Sequence, residues 1–265
     1  MEQSKENLKL VSNKNSRIIL PNILTLFGVC IGLSSIKFAF DGKFELSIVA
    51  IIIAAIIDGL DGRIARLIKG TSKVGKELDS LTDVISFGVA PAFIMYFWVL
   101  SEIGRLGWLI SLIYIVCVAL RLARFNITSN EDSSWKDNFF EGIPSPAGGV
   151  LVLIPLVFSF SEFNYLNINY KLIVPISFIF ISFLLISKIP TYSLKRIAVP
   201  RSTSIFLLFS VILYFGLILV YTFNTIVISG AIYLLMIPVS ATHFYIINKN
   251  NITNKDEIDH HEDVL

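Results

Sequence analysis

Residues 46–66 read LSIVAIIIAAIIDGLDGRIAR. Ten unbroken apolar residues, Ile48 to Ile57, run directly into Asp58, and Asp61, Arg63 and Arg66 follow at once. A half-buried strand alternates polar and apolar residues, and a soluble amphipathic helix places a polar residue every third or fourth position; this run does neither before Asp58. About 20 predominantly apolar residues is the length a helix needs to cross a bilayer. The stretch is therefore read as a membrane helix whose last turns carry acids.

Runs of the same character stand at 23–40, 75–99, 107–126, 143–161, 172–188, 203–223 and 226–247. The composition agrees: 265 residues, 54% hydrophobic and 16% charged, with a mean hydropathy of +0.73, are too apolar for a water-facing surface. Segments near spanning length exclude a β-barrel, whose strands are short and alternating. The expected fold is an all-α, polytopic membrane helix bundle of about eight transmembrane helices, with no internal repeat and no second domain. Fifth in the series, 143–161 opens with Gly142-Ile143-Pro144-Ser145-Pro146, which places its prolines in the first turn or just before it.

An even number of crossings puts both termini on one side. With that side cytoplasmic, 18 of the 22 lysines and arginines fall inside and only Lys37, Lys43, Arg105 and Lys171 outside, the division the positive-inside rule demands. The inside groups are Lys5, Lys9, Lys14 and Arg17; Arg63, Arg66, Lys69, Lys73 and Lys76; Arg121, Arg124 and Lys136; Lys188, Lys195, Arg196 and Arg201; and Lys249 and Lys255. This gives a cytoplasmic N-terminal segment 1–20, a transmembrane domain 21–247 and a cytoplasmic tail 248–265 in which His260 and His261 are solvated. The stretch 127–141, with Glu131, Asp132, Asp137 and Glu141, is a cytoplasmic loop. Cys30 and Cys117 lie inside apolar runs and behave as small hydrophobes. No small-residue cleavage site follows the first run, so it is a retained helix, and the net charge of +2 gives no reason to invoke nucleic acid.

The acids hold the chemical information. Each acid at the centre of a membrane helix costs ~2.5 kcal/mol or more on insertion scales, yet Asp58 and Asp61 end one run while Asp79 and Asp83 open the next. At about 100° per residue, Asp58, Asp61, Gly62 and Ala65 share one helical face, and Gly75, Asp79 and Asp83 share another. If those faces meet, four oxygen donors converge beside small residues that leave room for a bulky ligand. Such donors select Mg²⁺ or Mn²⁺, no His or Cys cluster competes, and two divalent ions would balance the charge. Two rival readings are pairing of the acids with Arg63, Arg66 and nearby lysines at a helix end, and a proton or cation pathway. Pairing needs no small residues, and a pathway does not need every acid near one side.

As a pattern, residues 58–83 read D-x-x-D-G-x-x-A-R, eight residues, then G-x-x-x-D-x-x-x-D. This resembles the signature of the CDP-alcohol phosphatidyltransferase family. The resemblance implies a membrane enzyme that moves the phosphatidyl group of CDP-diacylglycerol onto an alcohol and releases CMP, with Mg²⁺ or Mn²⁺ and two ions. Position by position it implies Asp58, Asp61 and Asp79 as metal ligands, and Asp83 as a further ligand and the catalytic base. Gly62, Ala65, Arg66 and Ser72 match positions that hold the CDP-lipid, and Pro21-Asn22-Ile23-Leu24 before Thr25 is similar to the family's opening P-N-x-L-T.

Three further segments look like the membrane-integral phosphatidylserine synthase branch: Arg121-Leu122-Ala123-Arg124-Phe125-Asn126, Gly142 to Gly148, and Ile189-Pro190-Thr191-Tyr192-Ser193-Leu194-Lys195. They imply L-serine as acceptor, with Arg121, Arg124 and Asn126 as acceptor-binding candidates, a homodimer, and an inner-membrane enzyme working toward the cytoplasm. The alternatives are another acceptor, glycerol 3-phosphate or inositol phosphate, and an ion-coupled secondary transporter; a transporter would show inverted repeats, which the chain lacks.

Overall fold

Helix α1 (Glu2–Phe40) is stopped by a left-handed glycine. Gly42 has φ +75°, its N–H bonds the Ala39 carbonyl at 3.0 Å, and the Lys43 N–H bonds the Phe38 carbonyl at 2.8 Å. That pair of bonds closes a helix C-terminus around a residue with no Cβ. The chain reverses at once, and α2 (Phe44–Leu67) packs back along α1. Ser47 and Ser35, both buried, lock the hairpin, the Ser47 hydroxyl donating to the Ser35 carbonyl at 2.9 Å. Ile48, Ile51 and Ala54 face inward, while Ile53 and Ile56 remain exposed.

The computed structural model describes residues 2–68, 72–128, 139–163, 168–192 and 201–262, without the side chains at 2–18, 73, 128, 140, 201–204 and 249–262. Outside the described residues or side chains lie Lys5, Lys9, Lys14, Arg17, Lys69, Lys73, the loop acids Glu131, Asp132 and Asp137 with Lys136, Ser193-Leu194-Lys195, Arg196, Arg201, Lys249, Lys255, His260 and His261.

Helix α3 (Lys73–Asp83), a π-helical turn (Val84–Val89) and α4 (Ala90–Trp98) follow one another without a break. Ser72 caps α3, its Oγ accepting the Gly75 N–H at 2.9 Å. At the π turn the Ala90 N–H reaches back five residues to the Ile85 carbonyl. The Phe87 carbonyl there takes the buried Tyr114 hydroxyl at 2.8 Å, a side-chain donor that supplements the widened ladder. Tyr114 lies on α5 (Arg105–Thr128) and meets Phe178 of α8 (Tyr170–Ile186) edge to face, ring centroids 5.3 Å apart. Phe87, Ile94, Met95, Tyr114 and Phe178 form a fully buried core.

The expected single helix over 143–161 is corrected to two, α6 (Ser145–Val152) and α7 (Ile154–Ser159). Pro155 has no N–H to offer the Leu151 carbonyl and its ring crowds it, so the ladder breaks at Leu153. Pro144 and Pro146 do sit at the N-cap and first turn of α6. Pro21 lies inside α1, because the helix continues back through the polar residues to Glu2.

These elements belong to a first compact unit, Met1–Ser129 with Pro144–Ile186; Asn130–Ile143 with Ser187–Leu265 form a second. In the second, β1 (Phe139–Glu141) pairs antiparallel with β2 (Pro190–Tyr192), a ribbon absent from the all-α expectation. Gly142, at φ +73°, bonds the Ile189 carbonyl through its N–H at 2.9 Å and takes the Thr191 hydroxyl on its own carbonyl at 2.7 Å. The helices α9 (Arg201–Val220) and α10 (Thr222–Glu262) complete this unit, and the Phe139 ring stacks on Tyr192 and meets Phe244 edge to face.

Helix is found in all eight apolar segments read from the sequence. Among the described residues, Ile19–Phe40, Val74–Trp98, Arg105–Ile127 and Thr222–Asn248 are long and apolar enough to cross a membrane; Tyr170–Ile186 and Ile205–Val220 are apolar but shorter. Helix α2 has the length, 24 residues, but Asp58, Asp61, Arg63 and Arg66 lie within its last ten residues.

A Cβ on Gly107 would stand 1.9 Å from the Leu100 carbonyl oxygen, whereas one on Gly216 would meet nothing. Gly107→Ala is expected to destabilise the protein by ~2 kcal/mol or more through backbone overlap, and Gly216→Ala to leave it unchanged or stabilise it by up to ~1 kcal/mol. Thermal unfolding of the two variants in the same detergent checks the order.

Candidate functional site

The antiparallel pairing that sets Ser47 against Ser35 also sets Asp61 of α2 against Thr25 of α1. Thr25 Oγ1 lies 2.8 Å from Asp61 Oδ2 and 3.0 Å from the Pro21 carbonyl oxygen. Asp61 is 3% exposed, so this hydroxyl orients an acid that water scarcely reaches. One turn earlier on α2 is Asp58, and across from it on α3 is Asp79. One carboxylate oxygen from each of Asp58, Asp61 and Asp79 lies within 4.8 Å of the other two.

Asp83 follows one turn after Asp79 and stands against Asp58. Its Oδ2 accepts the Ser145 hydroxyl at 2.6 Å, and its Oδ1 is buried without a hydrogen-bond partner. The Ser145 Oγ in turn accepts Arg121 Nη1 at 2.9 Å.

Two unit charges 4.8 Å apart repel by about 3.5 kcal/mol at an effective dielectric of about 20. Among the described residues the salt bridges are Lys37–Asp41 and Lys171–Glu102, neither of which involves these acids. Arg66 turns back on its own helix, Nε donating to the Gly62 carbonyl at 3.1 Å, and Arg63 is exposed. Pairing with interfacial arginines therefore does not account for the cluster. An all-oxygen donor set with one buried acceptor left unpartnered fits a hard divalent cation, with Asp58, Asp61 and Asp79 as its holders and Asp83 at hand.

Beside the cluster is a cavity of about 470 Å³. Pro21, Asn22 and Thr25 of α1 form one wall, Asp61, Gly62 and Ala65 of α2 another, and Ser72, Gly75, Lys76 and Asp79 the third. A Cβ on Gly75 would come within 2.9 Å of Asn22 Oδ1 and 3.0 Å of Ser72 Oγ, so glycine lets α3 close on α1. A Cβ on Gly62 would meet nothing, so that wall opens onto free space.

Of the residues singled out for the CDP-lipid, Pro21, Asn22, Gly62, Ala65 and Ser72 line this cavity, while Ile23 is 45% exposed and neither it nor Leu24 or Arg66 reaches the lining. Among the acceptor candidates, Arg121 is buried and bonded to Ser145; Arg124 Nη1 donates to the Ile186 carbonyl at 2.8 Å, at the end of α8; Asn126 Nδ2 donates to Ser80 Oγ at 2.9 Å. Sequence reasoning assigned no role to Thr25, Lys76 or Ser145. Lys76 stands three residues before Asp79, a helical-face spacing that could have marked it; Ser145 had no such signal.

A membrane-embedded helical protein with a carboxylate cluster suited to a divalent cation, open to a cavity of ligand size, is the class that fold and site define. The family model for CDP-alcohol phosphatidyltransferases matches residues 18–247, and the chain belongs to that family, as the Asp58–Asp83 signature led one to expect. It is similar to proteins named CDP-diacylglycerol–serine O-phosphatidyltransferase: that of Mycobacterium bovis at 39% identity over 188 residues, 69% of this chain and 64% of that protein. With that of Mycobacterium leprae it shares 41% over 186 residues, 69% and 61% respectively, and with that of Helicobacter pylori 34% over 221 residues, 83% and 90%. The chain thus spans somewhat under two thirds of the mycobacterial relatives' length.

Thr25→Val keeps the shape but removes the hydroxyl from Asp61. Mn²⁺ affinity, read by calorimetry on detergent-solubilised protein, is expected to fall by roughly tenfold, with unfolding stability lowered by only about 1 kcal/mol.

Proposed function

We propose that this protein transfers the phosphatidyl group of CDP-diacylglycerol to L-serine, giving phosphatidylserine and CMP by direct displacement. The observation that carries the reading is the gathering of Asp58, Asp61, Asp79 and Asp83 beside a cavity of about 470 Å³ walled by the signature's small residues. The relatives named for this reaction support serine over the other acceptors. When bound, Mg²⁺ or Mn²⁺, as two ions, would supply positive charge against the diphosphate and the departing CMP.

The chain's own residues do the remainder. Asp58, Asp61 and Asp79 hold the cation, and Thr25 keeps Asp61 turned toward it. Asn22, Ser72 and Lys76 offer donors to the nucleotide and its phosphates, while Gly62 and Ala65 leave the surface flat enough for it to lie close. Asp83 accepts the proton of the serine hydroxyl as that oxygen attacks the lipid-side phosphorus. Arg121 or Arg124 supplies a guanidinium to the serine carboxylate, and Arg121 stands the nearer to the acids, one hydroxyl away from Asp83 through Ser145.

The proposal extends to about eight membrane crossings with both termini cytoplasmic, to a transmembrane domain 21–247 between a short N-terminal segment and the tail, and to a homodimer in the inner membrane facing the cytoplasm. The charge division along the sequence supports the orientation.

Purified protein given CDP-diacylglycerol with L-serine, glycerol 3-phosphate or inositol phosphate is expected to release CMP only with serine, and to stop when a chelator is added. Equal release with every acceptor, or activity that survives complete chelation, overturns the reading. Asp83→Asn is expected to lower kcat by at least ~100-fold with CDP-lipid affinity kept within about threefold. Gly62→Ala, whose Cβ meets no protein atom, should fold normally yet raise KM for the CDP-lipid by ~10-fold.

A further inference from the structure

Ser145 is fully buried at the first position of α6, 62 residues from Asp83 in sequence, and it stands between a cation and an acid. Arg121 Nη1 lies 2.9 Å from its Oγ, and Asp83 Oδ2 lies 2.6 Å from the same atom. A guanidinium N–H can only donate, so Ser145 Oγ is the acceptor in the first contact. A hydroxyl has one proton, and with Arg121 approaching its lone pairs that proton points to Asp83. The 2.6 Å separation is that of a hydroxyl bonded to a charged carboxylate. The order of donation, Arg121 to Ser145 to Asp83, is therefore set by the chemistry of the three groups.

This relay divides the two oxygens of Asp83. Oδ2 is held by Ser145, Oδ1 is buried and meets no hydrogen-bond donor, and the carboxyl as a whole stands against that of Asp58. A carboxylate fixed at one oxygen cannot rotate about its terminal bond without breaking that bond, so its second oxygen is held in place as well. The frame behind the relay is rigid: Pro144 caps α6 with Pro146 in its first turn, and Gly149 lets α6 approach Phe87 so closely that a Cβ there would stand 3.0 Å from the Phe87 Cβ.

We propose that Ser145, oriented by Arg121, is a positioning residue that locks Asp83 with Oδ1 presented to the divalent-cation site. The inference rests on the metal-site reading above. It assigns Ser145 no contact with substrate; its action passes through Asp83, as second-layer hydrogen bonds to metal-binding carboxylates do, where their loss typically lowers metal affinity or activity 10–100-fold.

The test is a Mn²⁺ titration followed by electron paramagnetic resonance on detergent-solubilised full-length protein, with steady-state kinetics alongside. Ser145→Ala is expected to weaken Mn²⁺ binding by roughly 10–100-fold and to lower kcat, with KM for the CDP-lipid within about threefold of wild type. In an Asp83→Asn background the same substitution is expected to change Mn²⁺ affinity by less than about twofold, because the group through which it acts has been removed. Ser145→Cys, close in volume but only a weak donor, carries the same comparison if the alanine variant does not fold. Wild-type Mn²⁺ affinity in both variants, or an equal loss with and without the Asp83 carboxylate, overturns the proposal while leaving the metal site standing. Wild-type protein that binds no Mn²⁺ overturns the metal-site reading and this inference with it.

Discussion

Carboxylates gathered within 4.8 Å of one another where α2 meets α3, buried at Asp61 and half-buried at Asp58 and Asp79, repel one another with little water to screen them. Every nearby feature answers that constraint. The reversal at Gly42 brings α2 back along α1 so that Thr25 can hold Asp61; the cap at Ser72 starts α3 where its first turns deliver Asp79; Ser145 reaches Asp83 from α6. None of these contacts removes negative charge. They hold the acids in place, and on the proposed function a bound divalent cation would offset the repulsion. An electrostatically costly cluster kept in register by neutral hydroxyls is built to bind, since its stabilisation arrives with the ligand.

Much of this was legible in the sequence, and the divisions are physical. Long apolar runs located the helices because a bilayer-facing helix needs an apolar surface all round, a signal that no loop imitates. The acid faces were legible because i, i+3, i+4 spacing maps directly onto helical geometry. What could not be read depended on contacts across tens of residues. Ser145 and Asp83 share no periodicity, and nothing in the local pattern says that a serine in a proline-rich helix start reaches a carboxylate on another helix. Arg124 and Arg66 each place one guanidinium donor on a backbone carbonyl, contacts that no local pattern announces. Carbonyls at helix ends compete for arginine with any substrate.

The corrections have the same origin. Residues 143–161 are apolar enough for one span, yet Pro155 breaks the ladder in a place hydropathy does not register. The ribbon of Phe139–Glu141 with Pro190–Tyr192 is only three residues wide and is held by a glycine turn and stacked rings rather than by an alternating pattern. The first strand borders, and the second lies within, a segment that the sequence had linked to the serine branch, so likeness to relatives marked the places while the kind of structure there stayed hidden.

The widened turn at Val84–Val89 has one more effect. By slipping one residue into the helical register, it uncouples the phase of the polar half before it from that of the aromatic half after it. Lys76 and Asp79 can keep facing the ligand chamber while Ile94 and Met95 of the same continuous rod settle into the hydrophobic interior on an independent rotation. A single span thereby serves two neighbours whose angular demands an unbroken 3.6-residue spiral would have forced into compromise.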